Sequence, residues 1–202
     1  AARARAILRL AALHSRRGDF HRADLLFAEG FAAARRGVAL PREEHLFFLN
    51  GHAAMKAVIG EHAQAVRLCE EGLRLAGRAR HRSLQEVALN LRATRANVAL
   101  RTYDYEGALR DFESALRIAE SIGSPANQAT VLNNLGVLHS QCDRYPQAIA
   151  AFTEAERTCL RLDEGPSLAS VHGNLAMVHA KVGDFAAMES ALGEGDRLIP
   201  AV

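Results

Sequence analysis

The stretch Asn133–Ala155, NNLGVLHSQCDRYPQAIAAFTEA, decides the fold of this 202-residue chain. Leu135 and Gly136 precede a polar break, and Phe152 and Ala155 follow it at a spacing that puts them on one helical face. Small residues let two helix backbones approach each other, while large apolar residues fill the space between them. The stretch therefore predicts a pair of packed α-helices.

The same pattern recurs along the chain. Each polar break is followed by one small or apolar residue, which we call the anchor of its repeat. The anchors are Ala23, Ala65, Ala108, Ala148 and Met188, separated by 42, 43, 40 and 40 residues. A period between roughly 20 and 50 residues indicates a solenoid or a related array. Apolar residues follow helical spacing in both halves of each copy, which predicts ten helices in five antiparallel pairs.

These residues resemble the tetratricopeptide repeat family, and the fourth unit carries the resemblance most fully through Leu135, Gly136, Ala148, Phe152 and Ala155. The first and fifth units match at Leu10, Ala11, Ala23, Phe27, Leu175, Ala176, Leu192 and Pro200. The second and third units carry His52, Arg92 and Arg95 where the family has apolar residues. Either their first helices are rotated or the pattern is degenerate there. The period of about 40 residues is similar to the long repeats of kinesin light chains and of bacterial signalling ATPases and activators.

The resemblance implies an all-α, right-handed α-solenoid with a concave groove lined by the first helix of each pair. We expect one domain, residues 1–202, with repeats at approximately 4–37, 43–79, 84–123, 126–163 and 167–200. The chain does not begin with methionine, so we expect a fragment of a longer protein.

The cysteines and the apolar runs of the sequence indicate the cellular compartment of the protein. The three cysteines, Cys69, Cys142 and Cys159, have no paired spacing, which favours a reducing compartment and a cytoplasmic protein. No apolar run reaches the roughly 18 residues that a membrane span needs.

Residues 1–101 hold 18 Lys and Arg against 9 Asp and Glu, a net charge of +9, whereas residues 102–202 hold 7 against 14, a net charge of −7. These halves could recruit an acidic partner or stack on each other, although solvated charged faces are a simpler explanation.

Known catalytic patterns are missing from the sequence. It has no phosphate loop, dinucleotide fingerprint, zincin motif or CxxC pair, so we expect no enzyme and no cofactor. His14, His139 and His179 recur at one position of the repeat, which predicts packing near a turn, and we expect no metal site. The basic stripe of Arg5, Arg9 and Arg16 lacks interleaved aromatic residues, which argues against nucleic acid as a partner.

The expected functional surface is the concave groove. In kinesin light chains and similar repeats, asparagines in the groove bond the backbone of an extended peptide, and an amide can donate and accept at once. Asn134 and Asn174 hold matching places in their repeats, but such asparagines could equally satisfy neighbouring helix carbonyls. The predicted contact residues are Asn97, Arg101, Asn133, Asn134, Gln141, Asn174 and Lys181, with Asn50, Asn90, Arg5, Arg9 and Arg16 as secondary candidates. Phe47 and Phe48 are adjacent, so either one is exposed on the groove or both are buried against neighbouring pairs.

We therefore predict a protein-interaction scaffold that holds an extended peptide or a partner helix in its groove. One alternative is an effector-sensing or regulatory segment of a larger bacterial signalling ATPase, kinase or transcription activator. A second alternative is a self-assembly module that stacks through its oppositely charged halves, which high salt would dissociate.

Overall fold

A computed structural model describes residues 2–37, 40–77 and 81–198, and these residues form ten α-helices and no strand. The helices are α1 Ala2–Arg16, α2 Phe20–Arg36, α3 Arg42–Val58, α4 His62–Ala76, α5 Arg82–Arg101, α6 Tyr105–Ser121, α7 Pro125–Gln141, α8 Tyr145–Leu162, α9 Gly165–Val182 and α10 Phe185–Arg197. The predicted all-α fold and the number of helices are confirmed. Pro200 and the predicted repeat ends at 79 and 200 lie outside the described residues.

The helices group into two compact units, Ala1–Thr102 with α1 to α5 and Tyr103–Val202 with α6 to α10. Each unit packs consecutive helices against each other. Four of the predicted pairs lie within one unit, and the third pair, α5 and α6, is divided between the two.

The turn inside each pair has the same backbone geometry in all five repeats. The residue five positions before the anchor has a positive φ, at Gly18 (79°), Gly60 (82°), Tyr103 (64°), Asp143 (56°) and Gly183 (81°). This left-handed conformation suits glycine because it has no Cβ atom. The Asp184 carboxylate then caps α10 by accepting a hydrogen bond from the Ala187 backbone N–H at 3.1 Å. The polar break thus both ends one helix and starts the next.

The core follows the predicted alternation of bulky and small residues. Phe27, Phe112 and Phe152 are at most 1% exposed, and each stands four residues past its anchor. A Cβ atom added at Gly136 would lie 2.5 Å from the Phe152 ring, so the close approach of α7 and α8 depends on this glycine. The last repeat departs from the pattern, because Leu192 remains 46% exposed where no described helix follows α10.

The position of His52 shows whether the first helix of the second repeat is rotated. Its ring is 9% exposed and stacks on Phe27 with centroids 4.6 Å apart. It therefore fills the register that holds Leu135 and Leu175 in other repeats, and α3 is not rotated.

None of the described helices is long and apolar enough to span a bilayer.

Candidate functional site

The candidate surface lies on the first helices of the repeats. Residues 18, 14, 11 and 7 positions before each anchor share one side of these helices, and none of them is buried. We call this set the first-helix face of its unit. In the first unit it comprises Arg5, Arg9, Ala12 and Arg16 on α1, Phe47, Gly51, Ala54 and Val58 on α3, and Asn90, Thr94, Asn97 and Arg101 on α5. In the second unit it comprises Thr130, Asn134, Val137 and Gln141 on α7, and Ser170, Asn174, Met177 and Lys181 on α9.

The α1 row of the first unit is basic. Arg5 donates from Nε to Glu44 Oε2 on α3 at 2.7 Å, so it links two first helices. Arg9 and Arg16 are exposed and make no ion pair with any described residue. Two guanidinium groups of this row are therefore available to a ligand.

The α3 row of the first unit is apolar, and sequence reasoning did not include it among the site residues. Phe47 and Val58 are 61% and 63% exposed, and the small residues Gly51 and Ala54 lie between them. Phe48 is 4% exposed, whereas Phe47 is exposed, so the expectation that both phenylalanines are buried against neighbouring pairs is wrong and the alternative of one exposed ring holds. The sequence feature that could have identified this row is the adjacency of the two phenylalanines, because neighbouring residues of a helix point to different sides.

A trough of about 550 Å³ connects the three rows of the first unit. Arg9 of α1, Phe47 of α3 and Asn90 of α5 all line it. Two secondary candidates, Arg9 and Asn90, are thus brought together around an exposed aromatic ring. Asn97 and Arg101 continue the α5 row beyond the trough, and Arg101 is exposed.

Asn50 does not belong to this face. It stands one residue before the face register, and its side-chain oxygen is buried without a hydrogen-bond partner among the described residues. In this conformation the side-chain oxygen is not accessible to a groove ligand, and contact between Asn50 and a partner stays a prediction.

In the second unit the predicted asparagines divide into two kinds. Asn174 donates from Nδ2 to Asn133 Oδ1 at 2.9 Å, which joins α9 to α7. Asn134 is half-buried and makes no hydrogen bond with any described residue. Gln141 and Lys181 are both exposed at one end of this face. Asn133 also lines a cavity of about 300 Å³ beside Ser170.

Lys181 lies close to two residues of neighbouring helices. Its Nζ lies 3.5 Å from both the backbone oxygen and the Oγ of Ser140, and 5.8 Å from the centroid of the Tyr145 ring. The cation therefore lies near Ser140 and the Tyr145 ring at the end of the face, where the lysine stays exposed.

The recurring histidines lie beside the turns, as predicted. His14 Nδ1 is 3.0 Å from Asp19 Oδ2, and His179 Nδ1 is 3.8 Å from Asp184 Oδ2. His139 faces Arg144 at the corresponding position, and burial together with that positive charge lowers the pKa of His139.

A buried ionic network in the first unit escaped sequence reasoning. Lys56 is 2% exposed, and its Nζ lies 2.8 Å from Asp24 Oδ2 and 2.9 Å from Glu61 Oε2. His52 Nε2 is 2.9 Å from Asp24 Oδ1. The available signal was the spacing of four between His52 and Lys56, which puts both on the inward side of α3.

Burial and hydrogen bonding act in opposite directions on the pKa values of this network. Burial lowers the pKa of His52 and outweighs the bond to Asp24 that would raise it. Burial would raise the pKa of Asp24 and lower that of Lys56. The hydrogen bonds within the network prevail, so the pKa of Asp24 is lowered and that of Lys56 is raised.

One further group of side chains in the second unit has the composition of a metal site. Glu156 of α8, His172 of α9 and Glu194 of α10 each offer one ligand atom, and these atoms lie within 4.8 Å of one another. Carboxylate oxygen and imidazole nitrogen are common ligands of divalent transition metals.

Comparison with known proteins assigns the fold to a family. The tetratricopeptide repeat family matches residues 86–161 and 127–192, which together cover more than half of the chain. The chain belongs to the tetratricopeptide repeat family. No curated protein matches the sequence.

Solved structures with the same tetratricopeptide-type fold come from several sources. BtubC (BKLC) from P. vanneervenii has a TM-score of 0.80 at 22% identity, over 95% of this chain and 78% of that one. The nearly identical TPR-like repeats of a Podosopora anserina protein described as a putative kinesin light chain have a TM-score of 0.75 at 15% identity, over 97% of this chain and 94% of that one. A Signal Transduction ATPase with Numerous Domains from Pyrococcus horikoshii, which has a tetratricopeptide repeat sensor, has a TM-score of 0.80 at 14% identity, over 96% and 29%. The predicted likeness to kinesin light chains and signalling ATPases is confirmed at the level of fold.

Proposed function

We propose that this chain is a non-enzymatic protein-binding module whose first-helix face holds an extended peptide or a helix of a partner protein. The trough of about 550 Å³ between α1, α3 and α5 carries the proposal, because Phe47 is 61% exposed inside it. Exposed aromatic rings in a concave surface are frequent anchors of protein interfaces.

The polar groups around the trough suit a peptide backbone. Asn90 lines the trough and Asn97 lies beyond it on α5, and both carry amides that can donate to a carbonyl and accept from an N–H. The carboxylates of Glu43, Glu44 and Glu86 also line the trough and suit N–H groups or basic side chains of the ligand. Arg9 and Arg101 are exposed and suit carboxylates or carbonyls of the ligand. In the second unit, Asn134 offers an amide with no described partner, and Gln141 and Lys181 supply further polar contacts.

Selection of peptides from a random library displayed on phage tests the proposal. The full chain serves as bait, and the affinity of a selected peptide is then measured with variants of the face. For a peptide that binds the first unit, we expect Phe47→Ser to weaken binding at least about tenfold and Asn97→Ala to weaken it about fivefold, the equivalent of one hydrogen bond. For a peptide that binds the second unit, we expect Asn134→Ala to weaken binding about fivefold.

Arginine offers a matched control for this experiment. Arg101→Ala removes an exposed arginine from the face, whereas Arg110→Ala removes an exposed arginine from α6 that only pairs weakly with Glu106 at 3.7 Å. We expect Arg101→Ala to lower the affinity and Arg110→Ala to leave it unchanged. Failure to select any peptide, or equal effects of both arginine variants, would refute the proposal.

A second candidate function is an effector sensor within a larger signalling ATPase. It is supported by the likeness to the Pyrococcus horikoshii protein, of which this chain covers only 29%. The coding sequence on either side of these 202 residues tests it. A neighbouring nucleotide-binding domain would support a sensor role, and its absence would exclude one.

A further inference from the structure

Two polar residues of the second unit occupy positions that most other repeats fill with apolar side chains. His172 stands 16 residues before its anchor, where three of the other four repeats have Ile7, Leu49 and Leu132 and the third repeat has Arg92. Glu156 stands eight residues after its anchor, where three of the other four repeats have Phe31, Leu73 and Leu116 and the fifth repeat has Asp196. Packing alone therefore does not require a histidine or a glutamate at either place.

These two residues face each other inside the second unit. His172 Nδ1 lies 3.5 Å from Glu156 Oε1, and His172 Nε2 lies 3.6 Å from Glu194 Oε2. The side chain of His172 is 4% exposed, that of Glu156 is 24% exposed and that of Glu194 is 52% exposed. Polar side chains are thus placed together on three helices, with the imidazole at the buried end and Glu194 at the surface.

We propose that Glu156, His172 and Glu194 bind one divalent transition-metal ion, with Zn²⁺ as the natural probe. Zn²⁺ takes imidazole nitrogen at about 2.0–2.1 Å and carboxylate oxygen at about 2.0–2.2 Å. Tetrahedral bonds of that length put neighbouring ligand atoms about 3.4 Å apart. The ligand atoms of this group already lie within 4.8 Å of one another, and the long glutamate side chains can close the remaining gap.

The ligand set also indicates which ions fit. An imidazole nitrogen favours zinc and its neighbours over Mg²⁺ or Ca²⁺, which prefer all-oxygen sites. His172 Nδ1 faces Glu156 and Nε2 faces Glu194. An ion on one ring nitrogen therefore requires the glutamate at the other nitrogen to bind it with one oxygen and to accept the remaining ring N–H with its second oxygen, which orients the ring. Three protein ligands leave a fourth position for water or a ligand group.

Such an ion would tie α8, α9 and α10 together. Glu156 and Glu194 lie on the two helices that flank His172. An ion that binds only the folded chain raises the free energy of unfolding by mass action. The proposal departs from the sequence-based expectation of no metal site, which considered the histidines near the turns.

Zinc binding to the purified, metal-free chain tests the proposal by titration calorimetry and thermal unfolding. His172→Leu and Glu156→Leu introduce residue types that other repeats carry at the same registers, so both variants should fold. We expect the unaltered chain to bind one equivalent of Zn²⁺ with a rise in Tm. Each leucine variant should lose at least about tenfold in affinity and should show no zinc-dependent rise in Tm.

The control is His179→Leu, which removes a histidine from the same helix outside the group. It should bind Zn²⁺ like the unaltered chain. Cobalt substitution adds a spectroscopic check, because Co²⁺ in a four-coordinate site gives visible absorption that the His172→Leu variant should lack. An unaltered chain without saturable zinc uptake, or a His172→Leu variant that binds as well as the unaltered chain, would overturn the proposal.

Discussion

The Nδ2 of Asn174 donates a hydrogen bond to Oδ1 of Asn133 at 2.9 Å, across 41 residues of sequence. This bond joins the first helices of two successive repeats, α7 and α9. It assigns a structural role to two asparagines that the sequence placed in the groove as ligand contacts. Asn134, which has no such bond, is the better probe of ligand binding.

Asparagine variants should separate stability from binding. We expect Asn174→Ala to lower the free energy of unfolding by about 1 kcal/mol because it leaves Asn133 without its donor. Asn134→Ala should change stability by less than about 0.5 kcal/mol and should weaken the binding of a selected peptide. Denaturant unfolding of both variants measures the first effect. Equal losses of stability would contradict the division between the two residues.

Two glycines in corresponding helices should respond oppositely to alanine. At Gly136 an added Cβ would lie 2.5–2.7 Å from the Phe152 ring, whereas at Gly173 it would meet nothing within 4 Å. We expect Gly136→Ala to destabilise the chain by about 1–3 kcal/mol through overpacking. Gly173→Ala should stabilise it by about 0.5–1 kcal/mol through helix propensity.

Thermal and denaturant unfolding of the two glycine variants provide the measurement. Both residues lie inside first helices, so helix propensity favours alanine equally at each. A stabilising Gly136→Ala variant would mean that α7 and α8 are not as closely packed as described.

Loss of both carboxylates around Lys56 should cost more than the sum of the single losses. Asp24→Asn or Glu61→Gln leaves the buried ammonium with one carboxylate, but the double variant leaves it with none. Breaking a buried pair costs roughly 3–5 kcal/mol, and we expect the double variant near the low end because both carboxylates are more than a third exposed. A double-mutant cycle measures the coupling.

Lys56→Met is the control for this cycle. It removes the buried charge and leaves two carboxylates that water can reach, so it should be milder than the double variant. Strict additivity of the two single variants would show that Lys56 does not depend on this pair.

Stability should fall as the pH drops below about 6.5, the ordinary pKa of histidine. Burial lowers the pKa of His52 in the folded chain. At pH values between the native and the unfolded pKa, the unfolded chain therefore binds a proton that the folded chain does not. The contribution to stability is complete above the unfolded pKa and is lost as the pH falls toward the native pKa. The His52 Nδ1 atom is buried without a hydrogen-bond partner among the residues that the structure describes, so protonation would bury an unsatisfied N–H.

The free energy of unfolding between pH 7 and about pH 5, above the range where carboxylates titrate, measures this effect. We expect His52→Leu to flatten the pH dependence but not to abolish it, because the pKa of His139 is lowered as well. A His52→Leu variant with the same slope as the unaltered chain would contradict the assignment.

The sequence by itself determined the repeat, the turns and the helix registers. The anchors at 40- to 43-residue spacing located all ten helices, because helical periodicity and turn chemistry are local properties of the chain. The same spacing put Asn97 and Arg101 on one side of α5, where neither residue is buried.

Only the tertiary structure decided what each polar side chain contacts. Asn133 and Asn134 are neighbours in sequence, yet one accepts a bond from α9 and the other does not. Lys56 meets Asp24 and His172 meets Glu156 across helix interfaces, and the partner there depends on distances between residues far apart in sequence. Periodicity fixes the direction of a side chain, whereas packing between helices fixes its partner.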